Sequence, residues 1–291
     1  MPTGKRKFVR LSLRNIAGKI GRISRGTIGK WLRQRKFSLR SNVKRLSGPP
    51  HPDRDRQFKL IKRATTRFKN AGQPIISVDA KNKEKIGDFK NDGVKWEEVD
   101  AHDFANKKTL TATPFAIYDL TKNEALVEVG TSKNTSRFAV DSIWRWWVMY
   151  GVFAYATASR LLILADSGGS NGCRVWMWKK QLQEFADETG LTITVRHYPR
   201  GASKWNPAED RVFGPISRNW AGHPLRTMSV FLGFVRGTTT QTGLKVRAHW
   251  NRRKYKTKEK VSKEEQKKLN FKRHKVIPLW NYTIYPRCKT Q

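Results

Sequence analysis

Three acidic residues stand at the ends of segments rather than inside them. Asp79 closes the β-rich run PIISV (74–78), Asp166 closes the apolar run LLILA (161–165), and Glu209 follows Asn206 and Pro207, which together open a helix. If the two acid-bearing strands lie side by side and the Glu209 helix crosses their ends, the carboxylates converge. Such a cluster repels itself unless it holds hard cations such as Mg²⁺, whose oxygen ligands suit carboxylate and phosphate together. Two such ions about 4 Å apart activate a water or a 3′-hydroxyl and stabilise the leaving oxygen of a phosphodiester. The chemistry expected of Asp79, Asp166 and Glu209 is therefore metal-dependent phosphoryl transfer on nucleic acid.

Each acid also has a plainer explanation. Asp79 can begin a turn before Lys81, Lys83 and Lys85, and Asp166 can belong to a tight loop or phosphate cradle with Gly168, Gly169 and Gly172. Glu209 lies three residues after Asn206, the spacing of a capping box. What favours chemistry is the combination, in this order, in so basic a chain. His102, Asp103, Asp119, His197 and Asp210 are weaker candidates. Asp119 precedes the turn residues 121–123, and neither His102 nor His197 has a second histidine three or four positions away. Asp210 adjoins Glu209, but helix neighbours diverge by about 100°, so the two are not expected to share an ion.

The elements that must position these acids are legible as a series. TPFAIYDL (113–120) and EALVEVG (124–130) read as a hairpin; Ala139, Ile143, Trp146, Trp147 and Tyr150 recur at helical spacing. The run ending at Asp166 is continuously apolar, as a buried parallel strand is, and is followed by the loop SGGSNG, a helix through Val175, Trp178, Leu182 and Phe185, and the strand TITVRHY. That is a βαβ unit inside a mixed sheet. Boundaries expected from composition are a basic segment at 1–46, a Pro/Gly linker at 47–60, a catalytic core at 61–245 and a basic tail at 246–291.

The 291 residues include 60 Lys and Arg against 23 acids, a net charge of +37. The first fifty residues hold fifteen basic residues and no acid. A polyanionic partner, nucleic acid first, follows from this balance, while the 11% aromatic content excludes a wholly disordered basic chain. The longest charge-free apolar stretch, Trp146 to Ser159, is fourteen residues, short of the roughly 20 that span a bilayer. With no secretory leader pattern and only Cys173 and Cys288, the chain is expected to be cytoplasmic and nucleoid-associated, with no membrane partner and no disulfide framework. In the N-terminal segment, Leu13, Ile16, Ala17 and Ile20 mark one helical face and Ile28, Trp31 and Leu32 another, with Ser24 as an N-cap between them. This reads as a helix-turn-helix-like pair whose second helix aims Arg25, Lys30, Arg33 and Arg35 at DNA.

Longer runs carry a resemblance. PIISVDAKNKEKIGDFKNDG, HDF at 102–104, LLILADSGGSNG, HYPRGASKWNPAEDRVFGPISRNW, TTTQTGLKV and WNYTIYP resemble the Rhodopirellula-type DDE transposases of bacterial insertion sequences, over about residues 10–286. The resemblance implies an α/β, RNase H-like catalytic core in which Asp79, Asp166 and Glu209 bind two divalent ions, Mg²⁺ or Mn²⁺. It also implies cleavage at transposon ends, strand transfer into target DNA, and a homo-oligomer assembled on that DNA. The chain departs from the family pattern in starting almost on the LSLRNIAGKI segment and in placing Asp210 where a histidine is expected.

Two other functions compete. A truncated, non-catalytic DNA-binding remnant would use the same basic ends, and metal-dependent nicking separates it from a transposase. A nucleotide-dependent enzyme using residues 166–172 as a phosphate loop has little behind it, since neither GxGxxG nor GxxxxGK[ST] occurs.

Overall fold

A computed structural model describes residues 12–21, 23–35, 51–93, 104–106 and 108–287. The chain divides into two compact units, Met1–Pro49 and Pro50–Gln291. His102, Asp103 and Cys288 lie outside the described residues.

The first unit contains helices α1 (Leu13–Ile20) and α2 (Arg25–Gln34). The hydroxyls of Ser12 and Ser24 cap them, accepting from Asn15 N and Thr27 N at 3.1 Å each, which satisfies amides that have no partner inside the helix. Gly21, at φ +69°, makes the left-handed turn that ends α1. A Cβ added at Gly29 would stand 3.4 Å from Leu13 Cδ1. That is ordinary van der Waals contact, so the glycine costs α2 some helix propensity without being required by the packing against α1.

The second unit opens with α3 (Arg54–Asn70), which buries Gln57, Ile61, Ala64 and Phe68 at helical spacing. There follow β1 (Ile75–Ala80), β2 (Glu84–Lys85), β3 (Thr111–Asp119) and β4 (Glu124–Gly130), then α4 (Ser136–Trp146), a π-helical turn (Trp147–Gly151) and the short α5 (Val152–Ala154). Next come β5 (Arg160–Asp166), α6 (Trp176–Thr189) and β6 (Thr192–Tyr198), a second π-helical turn (Glu209–Phe213), α7 (Gly214–Asn219), α8 (Met228–Arg236) and β7 (Lys245–Asn251). The unit closes with α9 (Lys263–Lys267), β8 (Phe271–Arg273) and β9 (Asn281–Ile284).

The sheet order is β7-β4-β3-β1-β5-β6-β9-β8, with β2 paired to β3. The β1–β3–β4 neighbours are antiparallel, whereas β1–β5, β5–β6 and β4–β7 are parallel. This central run, an antiparallel meander continued by two parallel strands, is the RNase H-like arrangement. Both faces are covered. Leu161, Ile163 and Ala165 of β5 pack with α4 and α6, while Leu162 and Leu164 pack with α3, so the unbroken apolar run is what a strand buried on both faces needs.

Two expected boundaries move. Helix α3 begins within the 47–60 linker, because the prolines end at Pro52 and the apolar spacing of α3 starts directly after. The stretch from 246 onward is not a tail: β7 pairs with β4, and β9 pairs with β6 and buries Tyr282 and Ile284 completely. Its lysines lie mainly between those strands, so average charge concealed two short apolar pairings.

Candidate active site

In the parallel pairing of β1 with β5, Val78 is level with Ala165. Asp79 and Asp166 are the next residue on each strand, on neighbouring strands about 4.8 Å apart. Strand alternation turns Val78 and Ala165 into the α4/α6 core, which sends both aspartates to the opposite face. The structure brings these two predicted residues together. Asp79 Oδ1 accepts the Ala80 amide at 2.8 Å.

Glu209 is brought to the same face through Asn206. The Asn206 side chain is fully buried, and its Nδ2 donates to Asp166 Oδ1 at 3.0 Å and to the Val78 carbonyl at 3.3 Å. Its Oδ1 accepts from the Ser77 hydroxyl and from the Ala208 amide, the latter at 3.3 Å. Its backbone carbonyl accepts from Glu209 N at 3.0 Å and Asp210 N at 3.1 Å. The expected capping residue is therefore also a clamp that ties the turn carrying Glu209 to both acid-bearing strands. Asn206, with Ser77 behind it, is what the sequence reading missed; the cap signal was visible, but its other partners lie about 40 and 130 residues away. Glu209 and Asp210 are both exposed and begin a π-helical turn rather than an α-helix, a local irregularity common at functional sites.

Asp79 and Asp166 line a cleft of about 1070 Å³ together with Lys81, Lys83, Arg174 and Arg200; Glu209 does not line it. The loop after Asp166 forms one wall. Gly169 has φ +73°, and a Cβ at Gly172 would come within 3.1 Å of the Gly169 carbonyl, so the turn closes only on glycine. Ser136 Oγ donates to the Ser170 carbonyl at 2.6 Å, and Lys179 Nζ donates to the Cys173 carbonyl at 2.6 Å. Behind Asp166, His197 Nδ1 meets the Asp166 carbonyl at 2.9 Å and Nε2 meets the Tyr282 hydroxyl at 3.0 Å.

A sheet with paired aspartates at these strand ends can be compared with known proteins. The family profile of the Rhodopirellula transposase DDE domain matches residues 1–286. The chain belongs to this family. Among curated proteins none matches the sequence. Solved structures that resemble it are the Mos1 transposase paired-end complex with left transposon end (10% identity, TM-score 0.45, 75% of this chain and 63% of the Mos1 chain) and the Mos1 strand transfer complex (10%, 0.46, 76% and 63%). A third is the Mos1 mariner paired-end complex with Mn (10%, 0.44, 75% and 64%). The matches thus span under two thirds of the Mos1 chain.

The electrostatics of this DDE-family chain test whether its acids suit metal ions. Burial, reinforced by Asp166 and further by Glu209 against the Ala80 amide, pushes the Asp79 carboxyl up to about 8. Burial also raises Asp166, opposed by the Asn206 hydrogen bond and reinforced by Glu209. Lys81, two residues beyond Asp79, is turned to Glu84 at 2.7 Å instead. Two half-buried carboxylates without a lysine or arginine partner among the described residues form an oxygen donor set that a hard divalent cation would neutralise. No three Asp, Glu, His or Cys side chains among the described residues are gathered closely enough to enclose one ion.

The remaining candidates sort by their contacts. Asp119 accepts from Thr121 N, Lys122 N and the Tyr155 hydroxyl, the turn role expected of it. His197 is buried and pushed down to about 4 by that burial, so its neutral ring serves hydrogen bonding. In the first unit, Arg25 and Arg33 line one groove with Arg14, being eight residues apart on α2, whereas Lys30 and Arg35 do not line it. No helix among the described residues is long and apolar enough to cross a membrane.

Proposed function

We propose that this chain is a transposase that cuts DNA at transposon ends and joins the freed 3′-hydroxyl to target DNA, with Asp79, Asp166 and Glu209 as its metal-holding catalytic set. The observation that carries the reading is the pair Asp79 and Asp166, each one residue beyond the level Val78–Ala165 pair of β1 and β5, tied through Asn206 to the turn bearing Glu209. Divalent cations, Mg²⁺ or Mn²⁺, supply charge neutralisation at the phosphodiester and activation of the attacking oxygen when bound there. The protein's own part is positioning. Asn206 fixes the Asp166 carboxylate, His197 fixes its backbone, and Lys83, Arg174 and Arg200 draw phosphates into the cleft. DNA is the partner, with the groove of Arg14, Arg25 and Arg33 as one contact, and copies of the chain assemble on it.

The test is nicking of supercoiled DNA with Mg²⁺ present. Asp166→Asn is expected to lose at least about 10³-fold in rate with duplex binding retained, since a ligand charge is removed where charge develops. Glu209→Gln is expected to behave likewise, because Gln preserves any capping bond but not the charge. Wild-type rates in Asp166→Asn would overturn the mechanism, and wild-type rates in Glu209→Gln would remove Glu209 from the set.

A further inference from the structure

Away from the cleft, at the β7 edge of the sheet, which has no further strand among the described residues, arginines gather around the end of β7. Two adjoining hollows of about 690 and 500 Å³ share Arg145, Asn251 and Arg253, and the larger is also lined by Arg236, Trp250 and Arg252. Arg236 donates through Nε and Nη2 to the Ala248 carbonyl at 3.1 and 2.9 Å, covering an edge-strand acceptor. The Arg252 guanidinium stacks 4.1 Å above the Trp250 ring, whose indole N–H has no acceptor among the described residues. Two carboxylates oppose this charge. Arg145 Nε lies 3.2 Å from the buried Glu128 Oε1, though not aligned as a hydrogen bond, and Arg253 Nη1 reaches Asp141 at 3.4 Å with its side chain 71% exposed. Four guanidiniums against two acids leave a positive surface with free donors.

The sheet register relates this surface to the aspartates. Asp79 is level with Ala116, Ala116 with Val127, and Val127 with Ala248. The carbonyl that anchors Arg236 thus lies on the same cross-strand row as Asp79, three strand spacings away, or about 14 Å. Since β7 runs parallel to β4, and β4 runs in the direction of β1 through antiparallel β3, Arg252 and Arg253 leave the sheet at the same end as Asp79 and Asp166. At a rise of about 3.4 Å per nucleotide, 14 Å corresponds to about four steps along one DNA strand.

We infer that the β7 edge, through Arg252 and Arg253 and braced by Arg236, is a further contact for the phosphate backbone of the duplex whose scissile bond lies in the Asp79–Asp166 cleft. The inference rests on the transposase reading for what occupies the cleft. Arg252 and Arg253 act as electrostatic contacts to phosphate, and Arg236 fixes the edge on which they stand.

The test measures binding of full-length protein to a generic duplex by fluorescence anisotropy between 50 and 200 mM NaCl. Arg252→Gln with Arg253→Gln is expected to reduce the log–log salt slope by about 1.8, so that affinity falls about tenfold less across that range than for wild type. Arg252→Lys with Arg253→Lys should keep the wild-type slope, because a point charge suffices for phosphate. Arg67→Gln with Lys69→Gln removes the same charge from the exposed C-terminal end of α3, which leads into the opposite end of β1, and should leave the slope unchanged. A wild-type slope in the Arg252/Arg253 glutamine pair would overturn the inference, as would an equal fall in both glutamine pairs. Failure of wild type to bind duplex at all would instead overturn the transposase reading. Thermal unfolding of each variant verifies the fold, and if the double glutamine variant fails to fold, Arg253→Gln alone carries the test with an expected slope change of about 0.9.

Discussion

Asn206 Nδ2 donates to Asp166 Oδ1 at 3.0 Å while the backbone carbonyl of Asn206 receives the Glu209 amide. One buried residue, through its side chain and its backbone, thus links a strand end to a helical turn that are 43 residues apart in sequence.

Removing that side chain should hurt both fold and chemistry. Asn206→Ala leaves the Val78 carbonyl and the Ala208 amide without this partner and is expected to cost about 1–3 kcal/mol. Denaturant titration should show a lower midpoint at unchanged slope. Asn206→Asp keeps the shape but sets a third negative charge against Asp166, so it should slow Mg²⁺-dependent nicking more than its loss of stability explains.

Divalent cation should stabilise the protein, increasingly so as pH rises toward and through about 8. Asp79 keeps its proton to about 8 when folded, and its proton must leave before a cation binds there. Without metal the sign reverses. Asp79 is already ionised in the unfolded chain above about 4, so each rise in pH up to about 8 favours unfolding. Thermal midpoints at pH 6 and 8.5, with and without Mg²⁺, check both statements. Asp79→Asn should abolish most of each effect.

His197 gives acid sensitivity of the opposite sign. Its folded value near 4 lies below the ordinary 6.5, so between these values the unfolded chain binds a proton that the folded chain refuses. Stability present at pH 7 should fall by about 2 kcal/mol at pH 5 from this group alone. His197→Asn, less stable at pH 7, should show a correspondingly smaller loss on acidification. An equal loss in both proteins would assign the acid sensitivity elsewhere.

Within the first unit, Arg25→Ala and Arg33→Ala should each lower the salt slope of duplex binding by about 1, as expected for residues lining one groove. Lys30→Ala, outside that groove, should change it less. Equal effects of all three, measured by the same anisotropy titration, would mean that α2 contacts DNA along more than one face.

How much was legible in the sequence follows from the range of each interaction. The runs PIISV and LLILA, each closed by an aspartate, identify β1 and β5 because a strand buried on both faces must be uncharged and largely apolar, Ser77 being the one polar side chain of the two runs. The hairpin, the βαβ unit and the capping serines are equally local, resting on spacings of two to four residues. The net charge of +37 likewise points to a polyanionic partner, since charge balance does not depend on the fold. Tertiary structure decided what depends on register and on distant partners. The second role of Asn206 needs Ser77, Val78 and Asp166 around it, and no local pattern encodes their meeting. The strands β7 and β9 lie in lysine-rich surroundings whose composition reads as solvated, yet each gains its place by pairing with a strand formed far earlier in the chain. The arginines of the β7 edge share an end of the sheet with the aspartates only because β4 and β7 run parallel. Sequence fixes what each segment can bury, but only the hydrogen-bonded register between segments determines which charges become neighbours.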